Sequence, residues 1–102
     1  MSWQFYLLEV LSGMLVANGV PHFVHGVSGE PFQSPFAKPP GVGESSPVVN
    51  VLWGFGNLLA GALLLRYVWP RSGGGWVAAG AGALAISIQL AVHLGKVRGG
   101  GR

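Results

Sequence analysis

Six polar residues inside long apolar stretches are the side chains of this sequence best suited to do chemistry. Where two or more fall in one stretch, they recur at intervals of three or four residues, which places them on one face of a helix. Three of them are histidines, and imidazole can relay protons, bind a divalent metal or ligate haem iron. The six residues are Asn18, His22, His25, Asn50, Gln89 and His93.

The positions of these residues along their stretches predict a single polar cluster. His22 and His25 lie near the end of the first apolar stretch, Asn50 near the start of the second, and Gln89 and His93 near the end of the third. Antiparallel helices would bring all three regions to one side of a membrane, beside the segment that joins the first two stretches. We therefore expect the six residues to form one cluster covered by that segment.

Three hypotheses explain such a cluster. Buried polar groups most often satisfy one another, so hydrogen bonding between helices is the first hypothesis. Handling of protons or of a small polar solute is the second. A metal site formed by His22, His25 and His93, or axial ligation of a haem, is the third, although no carboxylate from within a helix joins the cluster. No cofactor is predicted outright.

A second pair of polar residues lies toward the opposite side of the predicted bundle. Glu9 is about one turn inside the first apolar stretch, and Arg66 is about one turn inside the end of the second. Charged groups within a membrane are costly unless paired. Because their depths match, we predict a Glu9–Arg66 ion pair; the alternative is a lone Glu9 that couples to proton movement.

Small residues indicate where the helices approach each other. In the second stretch, Asn50, Gly54, Asn57 and Gly61 are spaced by four, three and four residues and share one face. Glycine allows two helix backbones to come close, and amides can then bridge them, so this face is predicted to pack, with Trp53 at its border. Gly82 lies in a run of alanine and glycine at the start of the third stretch, which predicts tight packing there as well.

Composition shows which elements must position these residues. Half of the 102 residues are hydrophobic and 9% are charged, whereas about a quarter are charged in a soluble domain. Each apolar stretch has the ~20 residues that a helix needs to cross a bilayer, and none shows the alternation of a barrel strand. The fold class predicted is an all-α membrane domain spanning 1–102, with three antiparallel transmembrane helices at about 3–26, 48–69 and 76–97.

The segment Ser28–Ser46 between the first two helices contains four prolines and is too polar to span. Its Phe32 and Phe36 predict that it folds back onto the membrane face; a mobile extended linker is the alternative. The serine and three glycines at 72–75 are expected to form a short turn, and 99–101 a flexible tail.

Charge favours a lipid partner over nucleic acid. The net charge is +3, and the six basic residues lie outside the apolar stretches or at their ends, as expected beside lipid head groups. Four basic residues on one side against two on the other favour a cytoplasmic long loop and C-terminus. The predicted location is a bacterial-type plasma membrane, in which the chain is multi-pass.

No motif identifies an activity. The sequence has no cysteine and lacks a phosphate-binding P-loop, a dinucleotide fingerprint and a nucleophile elbow; with no nucleophile and base in evidence, an enzyme is not favoured. The first expectation is a membrane interaction or accessory subunit. The alternative is a homo-oligomeric transporter or channel for protons or small polar solutes that uses the histidine and asparagine cluster. A metal- or haem-binding membrane protein is a further alternative. A homo-oligomer or a larger membrane complex is expected.

Overall fold

Three helices dominate the computed structural model, which describes residues 2–99. They are α1 (Trp3–Val27), α2 (Pro47–Tyr67) and α3 (Gly73–Gly99). Their most apolar windows have a mean hydropathy of 1.4, 1.8 and 1.7, respectively. All three helices are therefore long and apolar enough to cross a membrane.

The helix ends differ from the predicted bounds for local reasons. The α2 helix begins at Pro47, where the missing N–H of proline is no loss, and the Ser46 hydroxyl accepts a hydrogen bond from Val49 N–H at 3.2 Å. The α3 helix begins at Gly73, so the turn predicted there is wrong in part. The Ser72 hydroxyl accepts a hydrogen bond from Gly75 N–H at 3.4 Å, and this N-terminal cap offsets the low helix propensity of glycine.

The α1 helix lies between the other two and packs against both. On the α2 side, a Cβ placed on Gly54 would lie 2.5 Å from the backbone nitrogen of Phe23, and one on Gly61 would lie 2.8 Å from that of Val16. On the α3 side, a Cβ on Gly82 would overlap the backbone of Val10. Glycine is therefore required wherever these backbones touch.

The segment between α1 and α2 carries a minimal hairpin. Strand β1 (Phe32–Gln33) pairs antiparallel with β2 (Glu44–Ser45), with Phe32 opposite Ser45. Phe32 is buried, and it stands against α1 in contact with the rings of His22 and His25. The segment is thus attached to the helices by side-chain contacts.

Candidate functional site

Side-chain hydrogen bonds join α1 to α2 along the glycine-lined interface. The amide nitrogen of Asn18 donates to the Asn57 side-chain oxygen at 3.1 Å. One turn further, His22 Nδ1 lies 2.8 Å from the side-chain oxygen of Asn50. The four buried residues of α2 are Asn50, Gly54, Asn57 and Gly61, so the predicted packing face is the face that meets α1.

Asn50 connects this interface to the loop. It has no exposed surface, and its amide nitrogen donates to the carbonyls of Phe32, Ser45 and Ser46 at 3.2, 3.1 and 3.1 Å. These bonds define which end of the amide is nitrogen, so its oxygen accepts from His22 Nδ1–H. A neutral His22 ring then keeps Nε2 as an acceptor.

The loop is also tied to α3. His93 Nε2 donates to the carbonyl of Gly41 at 2.8 Å, although 52 residues separate the two positions in the chain. Because a carbonyl oxygen can only accept, Nε2 of His93 carries the hydrogen of this bond. His22 of α1 is therefore held in a defined orientation by a side-chain amide oxygen, and His93 of α3 is held by a backbone carbonyl oxygen.

A cavity of about 350 Å³ lies beneath the loop, between the three helices. Asn18 and His22 of α1, Trp53 of α2 and His93 of α3 line it, and loop residues 32–35 and 40–41 cover it. The ring of Phe36 lies edge-on to that of Trp53, with centroids 4.9 Å apart. The size is within the usual range for small-molecule sites.

Trp53 supplies the unusual feature of this cavity. Its indole Nε1–H is buried and has no hydrogen-bond partner within residues 2–99. An unsatisfied buried donor costs free energy, and native proteins leave few of them. The sequence indicated Trp53 only as a neighbour of the packing face that could line a pocket.

The structure gathers four of the six predicted cluster residues. Asn18, His22 and His93 line the cavity. Asn50 does not line it but bonds to the His22 ring through its side-chain oxygen. His25 lies elsewhere: its Nδ1 is 2.9 Å from a Glu30 carboxylate oxygen, and its ring stacks on Phe32. Gln89 is exposed on α3.

The three histidines do not form a shared site. His22 is bonded to Asn50, His25 to Glu30 and His93 to Gly41. No group of three or more histidine, aspartate or glutamate side chains within the described part of the chain could hold a metal ion. The donor set expected for a three-histidine metal centre is therefore not assembled in this conformation.

The predicted Glu9–Arg66 ion pair is not formed. Glu9 is fully buried, and neither carboxylate oxygen has a hydrogen-bond partner within residues 2–99. Arg66 is exposed near the end of α2, whereas the Glu9 carboxylate lies against Gly75 at the start of α3. Matching depth did not lead to contact because Glu9 faces the start of α3, whereas Arg66 is exposed on α2.

Comparison with known proteins adds no family: no family model, curated protein or solved structure matches this chain. Function must therefore be inferred from the cavity and its surroundings.

Proposed function

We propose that the protein is a multi-pass integral membrane protein whose three helices cross the bilayer in antiparallel fashion. The loop at 28–46 and the C-terminus then share one side, which the excess of basic residues assigns to the cytoplasm. The absence of cysteine makes this testable, since single cysteines can be introduced without background. Cysteines at Val42 and at Ser72 should react with an impermeant maleimide from opposite sides of the membrane of intact cells or inverted vesicles.

We further propose that the protein binds a small neutral solute in the cavity beneath the loop. Among the described residues, no Lys, Arg, Asp or Glu lines this cavity, so a charged ligand would be left there without a counter-charge. The available groups are a donor on Trp53 and acceptors on His22 and Asn18. A solute with an apolar body, one hydrogen-bond acceptor and one donor complements them.

The observation that carries this proposal is that the buried indole N–H of Trp53 has no hydrogen-bond acceptor within residues 2–99. Asn18, His22 and His93 each already make one side-chain hydrogen bond, whereas this buried donor makes none within residues 2–99. A carbonyl or hydroxyl oxygen of a bound solute would satisfy it. The aromatic faces of Phe32 and Trp53 would cover the apolar part of the same solute.

Transport of that solute requires more than one copy of this chain. The α1 helix fills the space between α2 and α3, so the described residues of one chain enclose no continuous path. The outer surface of α3 carries Gly80 and Gly95, and a Cβ on either would meet nothing within 4 Å. In a homo-oligomer joined through such small residues, a second copy would form the other wall of a path for the solute.

An accessory role in a larger membrane complex is the second candidate function. The same uncovered glycines of α3, together with the exposed Gly56 of α2, favour it, because small lipid-facing residues are typical of sites where another helix packs. Oligomeric mass in detergent separates the two functions: a homo-oligomer supports the transporter, and a monomer that is captured with a defined partner subunit supports the accessory role.

Solute binding is tested by nuclear magnetic resonance of the indole N–H groups in detergent-solubilised protein, with Trp53→Phe identifying the resonance. Benzamide, which is neutral and has both a donor and an acceptor, should shift the Trp53 signal saturably. Benzoate and benzylammonium should not. Replacing His22 by Phe should weaken the benzamide effect, whereas Trp69→Phe, outside the cavity, should leave it unchanged. A Trp53 signal that does not respond to benzamide contradicts the proposal.

A further inference from the structure

A second and larger concavity runs along the outside of the bundle between α1 and α3. It has a volume of about 770 Å³ and is lined mainly by apolar residues, including Val20, Leu90 and Leu94. Phe32 separates it from the cavity beneath the loop, since this ring lines both. It opens sideways, where a membrane protein meets the acyl chains of lipids, and we call it the α1–α3 groove.

At the end of the α1–α3 groove nearest the loop lies the guanidinium group of Arg98, which has no carboxylate partner among residues 2–99. Arg98 Nε donates to the Gln33 side-chain oxygen at 2.9 Å, and the guanidinium carbon lies 4.7 Å from the centre of the Phe32 ring. The ion pair found within residues 2–99 is the one between His25 and Glu30. Arg98 is exposed, so its terminal nitrogens are available to an anionic group, and arginine suits phosphate.

Two carboxylates lie beside this arginine. Glu30 and Glu44 line an adjoining cleft of about 490 Å³, whose walls also include His25 and Arg98. Both glutamates are exposed. The mouth of the groove therefore presents the Arg98 guanidinium and two glutamates within a single cleft, at the depth where α1 and α3 end, and one oxygen of Glu30 is already bonded to His25.

We propose that the α1–α3 groove binds a phospholipid with an ethanolamine headgroup. One acyl chain lies along Val20, Leu90 and Leu94. The phosphate accepts hydrogen bonds from Arg98, and the headgroup ammonium lies between Glu30 and Glu44. Apolar length, a phosphate ligand and a cation site occur in the same order in the groove and in the lipid.

The charges at the mouth distinguish this lipid from other amphiphiles. Phosphatidylglycerol would satisfy Arg98 but would bring its glycerol headgroup, which has no positive charge, against the two carboxylates. A choline headgroup supplies a positive charge but no N–H donor for them, whereas ethanolamine supplies three. A fatty acid reaches Arg98 alone. The arrangement of Glu30 and Glu44 therefore favours the ethanolamine headgroup.

The test is native mass spectrometry of the full-length protein in detergent, titrated with phosphatidylethanolamine and phosphatidylglycerol that have identical acyl chains. Wild-type protein should bind phosphatidylethanolamine about tenfold more tightly. Arg98→Gln should weaken the binding of both lipids about tenfold, an effect near the strength of a charge-assisted phosphate contact. Lys96→Gln is the matched control, because Lys96 is exposed at the same end of α3 but does not line the groove.

Two further variants separate the headgroup contacts from the acyl-chain contacts. The double variant Glu30→Gln and Glu44→Gln should remove the preference for phosphatidylethanolamine while keeping the binding of phosphatidylglycerol. Gly95→Leu adds a side chain where a Cβ meets nothing within 4 Å, so it should occupy the groove and weaken both lipids without disturbing the fold. Gly56→Leu on α2 is its control.

Equal affinity for the two lipids in wild-type protein would overturn the headgroup assignment. Loss of binding in Lys96→Gln as large as in Arg98→Gln would show non-specific attraction to the basic helix end, and unchanged binding in Gly95→Leu would show that the lipid lies outside the groove. Circular dichroism of every variant confirms that the helices are intact. Glu30, Glu44 and Gly95 do not line the cavity beneath the loop, so unchanged benzamide binding in their variants provides an independent control.

Discussion

Each end of the helix bundle buries a polar side chain at an interface of α1, Asn50 of α2 at one end and Glu9 of α1 itself at the other, but the two side chains differ in their hydrogen bonding. At the loop end, Asn50 is 0% exposed, and its side chain takes part in hydrogen bonds with His22, Phe32, Ser45 and Ser46. At the other end, Glu9 is also 0% exposed, and its carboxylate has no hydrogen-bond partner among residues 2–99.

This difference shows two ways in which long apolar helices can be held together. At the loop end, hydrogen bonds of buried amides attach a proline-rich segment that could not otherwise form regular structure. At the opposite end, contact depends on small residues: a Cβ on Gly75 would lie 2.5 Å from Glu9 Oε2 and 2.7 Å from Pro70 Cβ. Polar bonding organises one end, and close packing organises the other.

The largest effect is expected at the loop end. Asn50→Leu removes a buried amide that bonds three carbonyls and one imidazole, and each of these groups loses that bond, although the Ser46 carbonyl keeps the backbone N–H of residue 50. We expect the free energy of unfolding to fall by about 3 kcal/mol, measured by titration of mixed micelles with sodium dodecyl sulfate. Gln89→Leu, at an exposed position on α3, should change it by less than about 0.5 kcal/mol.

An unchanged stability in Asn50→Leu would mean that the loop is not held by this amide. Proteolysis gives a second readout, since release of the loop should expose residues 34–43 to cleavage in the variant and not in the wild-type protein.

An intermediate effect is expected from packing at the opposite end. Gly75→Ala places a methyl group against the Glu9 carboxylate and Pro70, and we expect a loss of about 2 kcal/mol. Gly74→Ala is the matched control, because its Cβ would lie 3.5 Å from the Tyr6 ring, an ordinary contact distance. The loss should shrink when Gly75→Ala is combined with Glu9→Ala, which a double-mutant cycle measures. Equal stability of the two alanine variants would contradict the proposal that close packing at Gly75 stabilises this end of the bundle.

The smallest effect, and one of opposite sign, is expected at Glu9 itself. Glu9→Met replaces an unbonded carboxyl with an apolar side chain of similar size, so we expect a gain of about 1 kcal/mol. Glu9→Gln keeps the polar atoms and should show no such gain. Chemical denaturation of both variants checks this, and a clear loss of stability in Glu9→Met would show that the carboxyl has a partner outside the described residues or a role beyond packing.

Much of the helical framework could be predicted from the residues alone. The length of the first apolar stretch predicted α1 to within one residue of its observed end. The spacing of four residues predicted the face of α2 that is buried, namely Asn50, Gly54, Asn57 and Gly61. These predictions succeed because helix periodicity and the length needed to cross a bilayer are local properties of a sequence.

The candidate site was predicted less completely. Asn18, His22 and His93 do line one cavity, but His25, only three residues from His22, turns to Glu30 and Phe32. Three residues advance a helix by about 300°, so His25 points roughly 60° away from His22. That difference is enough for His22 to meet α2 while His25 meets the loop.

The sequence by itself determined where the helices run and which face of α2 is small and polar. Only the tertiary structure decided that α1 lies between the other two helices, that Glu9 meets Gly75 and not Arg66, and that the indole of Trp53 finds no acceptor among residues 2–99. The physical reason is that a residue's depth and face follow from its position in its own helix, whereas its partner depends on how separate helices are arranged around each other.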